Sequence, residues 1–396
     1  MASSAVQRLW AEWLFDGERW MPGVGLDVDA AGSILTIDRG KPGAEAETHA
    51  CIIPGLVNAH AHLDLPRLST RPEGGFVDWI RAVIGERSRL DAEAREELVI
   101  ANLQALLDSG CTCVADVDAS GLSEGALSIL GVEGRAYREV IGFDLLPDTA
   151  QALIEGQSLS EATGLSPHAP YSVSRALFQA AAASSRPLMI HCSETVEELE
   201  LLQVGTGPLR DLLEELGRWD GSFHAPACSP IAWLERLDCL GPGTMLIHVQ
   251  ELVYGDLEIL KRTETPVVLC PGTVGYFGRE APRVAEMWDA GLVLALGTDS
   301  LASNDGLDMF EEMHRLHRMT PDLDPERILG MATGMGGRAM GLPHAGRLTA
   351  GASFDALCFR EAPQGGPGAL SEWICGARPR PDVRFLAGRD GCEGEP

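Results

Sequence analysis

Between residues 51 and 300 the chain alternates short apolar runs with longer stretches of helical periodicity. The apolar runs lie at 52–60, 111–118, 135–142, 164–168, 187–191, 244–248, 266–270 and 292–299. Between them come segments such as FVDWIRAVIGERSRLDAEAREELVIANLQALLDSG and SETVEELELLQV, whose apolar residues recur at helical spacing. A strand followed by a helix returns the chain to the same end of a sheet, so successive strands pair in parallel. Eight such units predict a closed (β/α)8 TIM-type barrel of the α/β class, over residues 53–344.

The flanks have a different texture. Residues 1–52 carry short, glycine-punctuated β-like pieces such as GSILTIDRG, and 345–396 carry AGRLTAGASFDALCFREA. Neither flank can bury a face alone, so the two are predicted to combine into one small β-sandwich domain built from both termini. The polar, Gly-rich end GRDGCEGEP is expected to fray.

Composition narrows the function. A chain of 396 residues can build a large core, and its net charge of −27 disfavours a polyanionic partner such as nucleic acid. No apolar run reaches the roughly 18 residues of a membrane span, and the first twenty residues lack a basic segment followed by an apolar core. The ten cysteines are scattered without a C-x-x-C pair, so a reducing, cytoplasmic setting is expected.

Five of the ten histidines fall at strand ends. His60 and His62 close the first predicted strand, His168 the fourth, His191 the fifth and His248 the sixth, while Asp299 closes the eighth. In a barrel of this type the ends of the strands share one mouth. Alternate residues of a strand face the same way, so His60 and His62 are expected to point inward together. Three or more imidazoles and a carboxylate on one rim form an N/O donor set suited to a divalent metal: zinc first, with iron(II) or manganese(II) accepted by the same ligands.

The order of PGLVNAHAHLD, HCSE, LIH and LGTDSLASND, followed by ILGMATGMGGRAMG and GRLTAGASFDAL, resembles the amidohydrolase superfamily over nearly the whole chain. The H-x-x-E of His191–Glu194 and the segment SPHAPYS are similar to its aminohydrolase branch, which deaminates purines, nucleosides and related heterocycles. Many binuclear relatives bridge two metals with a carboxylated lysine. This chain has only Lys41 and Lys261, so one metal is expected. By position, the resemblance implies His60, His62, His191 and Asp299 as metal ligands. His248 would steady the attacking water, Glu194 would carry a proton to the heterocycle, and His168 would line the substrate pocket. Asp299 would take the water's proton and pass it to the departing ammonia.

The same resemblance offers pointers to substrate. Related nucleoside deaminases place an aromatic residue and a ribose-gripping glutamate after the first strand, for which Trp79 and Glu86 are the candidates. Arg135 on the third strand could meet a ribose or a carboxylate. The insertion with Trp233, and CPGTVGYFG after the seventh strand, resemble deaminases of 6-aminodeoxyfutalosine, a nucleoside on a route to menaquinone. S-adenosylhomocysteine, methylthioadenosine, guanine and chlorotriazines are the alternatives on this fold. The implied partner is a small nucleoside, without membrane or nucleic acid, and a homodimer is the assembly to test.

Overall fold

The computed structural model describes residues 6–386 and 389–391. Eight strands form one all-parallel sheet: Leu56–Ala61, Cys111–Asp118, Glu133–Val140, Gly164–Pro167, Leu188–Cys192, Thr244–His248, Val267–Leu269 and Leu294–Leu296. They pair in chain order, with helices between them. The eighth returns to the first through a parallel bridge between Ala61 and Asp299. Asn58 staples this seam: its Nδ2 donates to Thr298 Oγ1 at 2.7 Å, and its Oδ1 accepts from Thr298 N at 3.1 Å. Gly297 allows the close approach, because a Cβ there would fall 2.7 Å from His60 Cβ and 2.8 Å from its carbonyl oxygen. The predicted (β/α)8 barrel is therefore present.

The barrel interior is packed with inward side chains such as Val57, Ala115, Tyr137, Met189, Ile247 and Ala295. Ala339 and Met340, at the end of helix Gly334–Ala339, join that core and plug the end where the strands begin. Only the other end, where the strands finish, is left as a mouth.

Strands from both termini build the second sheet, in the order Arg389–Gly391, Val383–Leu386, Ala356–Phe359, Glu47–Pro54, Gln7–Phe15, Trp20–Val28 and Ile34–Arg39. It is mixed, with one parallel pair. It folds around a single apolar core in which Leu9, Val24, Leu26 and Ile52 meet Phe354 and Phe385. The end expected to fray lies partly outside the described residues, but Arg389–Gly391 pairs antiparallel with the preceding strand.

Two sequence expectations need adjustment. The run 52–60 is two strands, one in each sheet, divided at Gly55, where a Cβ would sit 2.2 Å from Thr112 Oγ1. Both pieces are buried on both faces at this point, so no change of periodicity marks the crossing. The long helical stretch after the first strand is likewise two helices, Phe76–Arg87 and Ala92–Asp108, because Asp91 caps the second by accepting from Ala94 N. Among the described residues no helix is long and apolar enough to cross a membrane, and all nine described cysteines are free.

Candidate active site

Simple strand alternation does not by itself bring the histidines together. On the first barrel strand Val57 and Ala59 already occupy the interior, while Ala61 and Leu63 pack into the outer layer. His60 would then face outward, but the register with the neighbouring strand slips between Asn58 and Ala61. This one-residue bulge reverses the phase, so His60 and His62 both point into the mouth. His248 is re-aimed differently. Met245 and Ile247 face inward, and a left-handed backbone at His248 (φ 73°) turns its ring in after them. Asp299 (φ 57°) and Ser193 (φ 51°), the residue before Glu194, share that conformation. Such backbone costs of order 1–3 kcal/mol per residue and persists where the surroundings enforce it.

The side chains meet closely. His62 Nε2 lies 3.1 Å from His191 Nε2, and Asp299 Oδ1 lies 3.6 Å from His60 Nε2 and 3.8 Å from His62 Nε2. The donor atoms of His60, His62 and Asp299 fall within 4.8 Å of one another, as do those of His60, His191 and His248. Two ligands held about 2.1 Å from a tetrahedral zinc stand about 3.4 Å apart, and the observed spacings bracket that value. His191 Nδ1 is 3.0 Å from the His168 carbonyl oxygen. A carbonyl only accepts, so the proton is on Nδ1 and the lone pair of Nε2 faces the cluster. His60 Nδ1 meets Met189 Sδ at 3.2 Å, while its buried Nε2 has no hydrogen-bond partner. An orphaned, buried imidazole nitrogen aimed at a carboxylate and further imidazoles fits a divalent cation.

The electrostatics agree. Burial and the neighbouring histidines hold His62 and His191 well below the usual histidine range. Burial also lowers His168 to about 4 and His248 to about 3. These rings are neutral near pH 7, the form that can ligate a metal. Burial opposes ionisation of Asp299, yet the facing His60, His248 and His62 hold its carboxyl well below the ordinary range. Thr273 Oγ1 donates to Asp299 Oδ2 at 2.8 Å, which leaves Oδ1 toward the histidines. Burial lifts Glu194 to about 7, partly offset by Arg279, whose Nη1 is 3.3 Å from Glu194 Oε1. Glu194 Oε2 stands 3.8 Å from His248 Nε2.

These groups open into a cavity of about 200 Å³. Helix Phe76–Arg87 contributes Trp79, Ile80 and Val83 to its wall, and helix Pro208–Glu215 contributes Leu209, Leu212 and Leu213. His168 also lines it, its Nδ1 2.6 Å from Ser172 Oγ. Trp79 is held in place by Nε1 donating to the Ala302 carbonyl at 2.8 Å and by stacking on Phe76.

Two sequence candidates are not brought to the cavity. Glu86 accepts from Ser69 and pairs with Arg89 on the outside of its helix. Arg135 sits at the opposite end of the barrel, where its Nη1 donates to the Met340 carbonyl. Besides Glu194 and Asp299, the charged residues that do reach the cavity are Arg87 and Glu139. Both were within reach of sequence reasoning. Arg135, Tyr137 and Glu139 share the inward face of one strand at period two, and only the last lies at the mouth end. Thr273 and Arg279 carried no comparable signal.

Residues 51–380 match the model of the amidohydrolase family. An aminodeoxyfutalosine deaminase of Deinococcus radiodurans is 30% identical over 347 residues, covering 80% of each chain. A 5-methylthioadenosine/S-adenosylhomocysteine deaminase of Carboxydothermus hydrogenoformans is 28% identical over 336 residues, 77% of this chain and 71% of that one. Among solved structures, an adenosine deaminase from Xanthomonas campestris with bound zinc superposes with a TM-score of 0.76 at 21% identity, covering 97% of this chain and 92% of its own.

Proposed function

The chain belongs to the amidohydrolase family, and from that premise we propose that it hydrolytically removes the 6-amino group of a purine nucleoside, with 6-aminodeoxyfutalosine as the first substrate to test. The observation that carries the reading is that Glu194, His248 and Asp299 line one cavity, with Glu194 Oε2 3.8 Å from His248 Nε2. His60, His62, His191 and Asp299 would hold one divalent metal, zinc by the chemistry of the donors. Bound there, the metal would supply Lewis-acid activation of the attacking water.

The chain's own groups account for the protons. Asp299, whose carboxyl stands well below the ordinary range, takes a proton from the water as the water oxygen bonds to C6. Glu194, lifted to about 7, holds a proton near neutrality and gives it to ring N1, so the addition product carries no charge on the ring. His248 hydrogen-bonds the new hydroxyl. When the C6–N bond breaks, ammonia leaves with the proton from Asp299, and the hydroxyl proton returns to Glu194 as the carbonyl forms. Both groups are then restored. Trp79 and the leucine wall exclude bulk water and offer flat apolar surface to the base.

The 30% identity to an aminodeoxyfutalosine deaminase supports the first substrate, which would place the reaction in menaquinone synthesis. The 28% identity to a methylthioadenosine/S-adenosylhomocysteine deaminase supports a second reading on the same site. Ammonia release by the zinc-loaded protein over aminodeoxyfutalosine, methylthioadenosine, S-adenosylhomocysteine, adenosine, guanine and cytosine tests both. One 6-aminopurine nucleoside should turn over. Asp299→Asn and Glu194→Gln should each lose at least about 100-fold in kcat, with zinc retained in Glu194→Gln. Silence across the panel with zinc bound would refute purine deamination.

A further inference from the structure

Apart from Glu194 and Asp299, the charged residues lining the cavity are Arg87 and Glu139, and the proton transfers above use neither. Arg87 Nη1 lies 3.4 Å from Glu139 Oε2, and Arg87 Nη2 lies 3.6 Å from Asp64 Oδ2. The Glu139 side chain is 7% exposed and that of Asp64 1%. Neither Asp64 oxygen has a hydrogen-bond partner.

Two buried carboxylates thus share one guanidinium at loose distances. The cluster is short of donors, not of acceptors. A substrate carboxylate or phosphate would bring a third anion to a cation already claimed by two buried carboxylates. A neutral group with hydroxyls satisfies the cluster, since each hydroxyl can donate and accept at once.

We propose that Glu139 and Arg87 form the sugar subsite of this enzyme, gripping the ribose cis-diol: one hydroxyl donates to Glu139 and its neighbour accepts from Arg87. The assignment rests on the nucleoside reading above and makes this pair the specificity-determining residues for the sugar. It also leaves the wall of Leu209, Leu212 and Leu213 free for an apolar group on the 5′ carbon.

The test varies the substrate first, because that requires no altered protein. Zinc-loaded enzyme is assayed with the preferred nucleoside and its 2′-deoxy and 3′-deoxy analogues, in wild type, Glu139→Gln and Arg87→Met. A site built around a hydroxyl rejects the analogue lacking it. Wild-type kcat/KM should therefore drop at least about 100-fold for each deoxy analogue. Glu139→Gln should lower the ribonucleoside value alone and bring the ratio toward one. A merely structural role would lower all three substrates together. Calorimetric binding of inosine, 2′-deoxyinosine and 3′-deoxyinosine is run in parallel. Binding that discriminates without any turnover would overturn deamination and keep the subsite. Turnover without discrimination, or an unchanged ratio in Glu139→Gln, overturns the subsite and keeps deamination. Absence of both binding and turnover overturns both.

Discussion

Thr273→Val isolates how Asp299 is oriented toward the histidines and, on the proposed reading, toward a metal. The Thr273 hydroxyl donates to Asp299 Oδ2 at 2.8 Å, and both residues are buried. Valine keeps nearly the same size, so the wall stays filled and the hydroxyl alone is removed. A hydrogen bond to a charged acceptor contributes about 1.5–3 kcal/mol. Without it Asp299 keeps its histidine neighbours but loses the restraint that turns Oδ1 toward them. Loss of a partner of this kind weakens metal binding about 10–100-fold, which is about 1.4–2.7 kcal/mol and lies within the range of the bond itself. The assay is competition for zinc between the metal-stripped protein and a chelator of known affinity, in wild type, Thr273→Val and Thr273→Ser. Serine should restore binding because it restores the donor. Zinc affinity in Thr273→Val equal to wild type would refute the reasoning, whatever happened to turnover.

Gly297→Ala should disrupt the seam between the eighth and first strands, because the added methyl would meet the His60 backbone at 2.8–2.9 Å. Lowered thermal stability together with lost zinc binding is expected, and a variant that keeps both would show the seam to be pliable. The metal-stripped protein should lose stability on both sides of a plateau. Burial raises Asp64 to about 6, Glu194 to about 7, and Glu198 and Glu312 to about 8. The folded chain therefore binds more protons than the unfolded one, and this stability is present below about pH 4.5 and lost as pH rises through about 6 to 8. The histidines act in the opposite sense. With His168 at about 4 and His248 at about 3, the unfolded chain binds the extra protons below its own value of about 6.5, and stability falls as pH drops. Thermal midpoints across pH 3.5–9 check both limbs, and a midpoint still rising between pH 7 and 8.5 would contradict the carboxyl assignments.

The barrel was legible because eight buried parallel strands need eight apolar runs and their crossovers need amphipathic helices. The candidate donor cluster was legible because strand ends share a mouth, so His60, His62, His168, His191, His248 and Asp299 could be grouped from their places at those ends. What alternation could not supply was their direction. His60 and His62 point inward through a bulge that shifts the strand by one residue, and His248 through a left-handed backbone. The sequence carries no mark of either, because both are imposed by neighbouring strands.

The substrate end divides the same way. Trp79 reaches the cavity as its position in the sequence suggested, whereas Arg87 reaches it in place of Glu86, one residue away on the same helix. A helix turns about 100° per residue, so a single position separates the cavity from the outer surface. On the third strand Arg135 and Glu139 both face inward, but Arg135 lies at the plugged floor and Glu139 at the open mouth. Residue types and their order determined the fold, the donor chemistry and the single-metal expectation. The rotation of a helix, the slip of a strand and the depth of a side chain in the barrel are set by packing between segments far apart in the chain, and those only the tertiary structure decided.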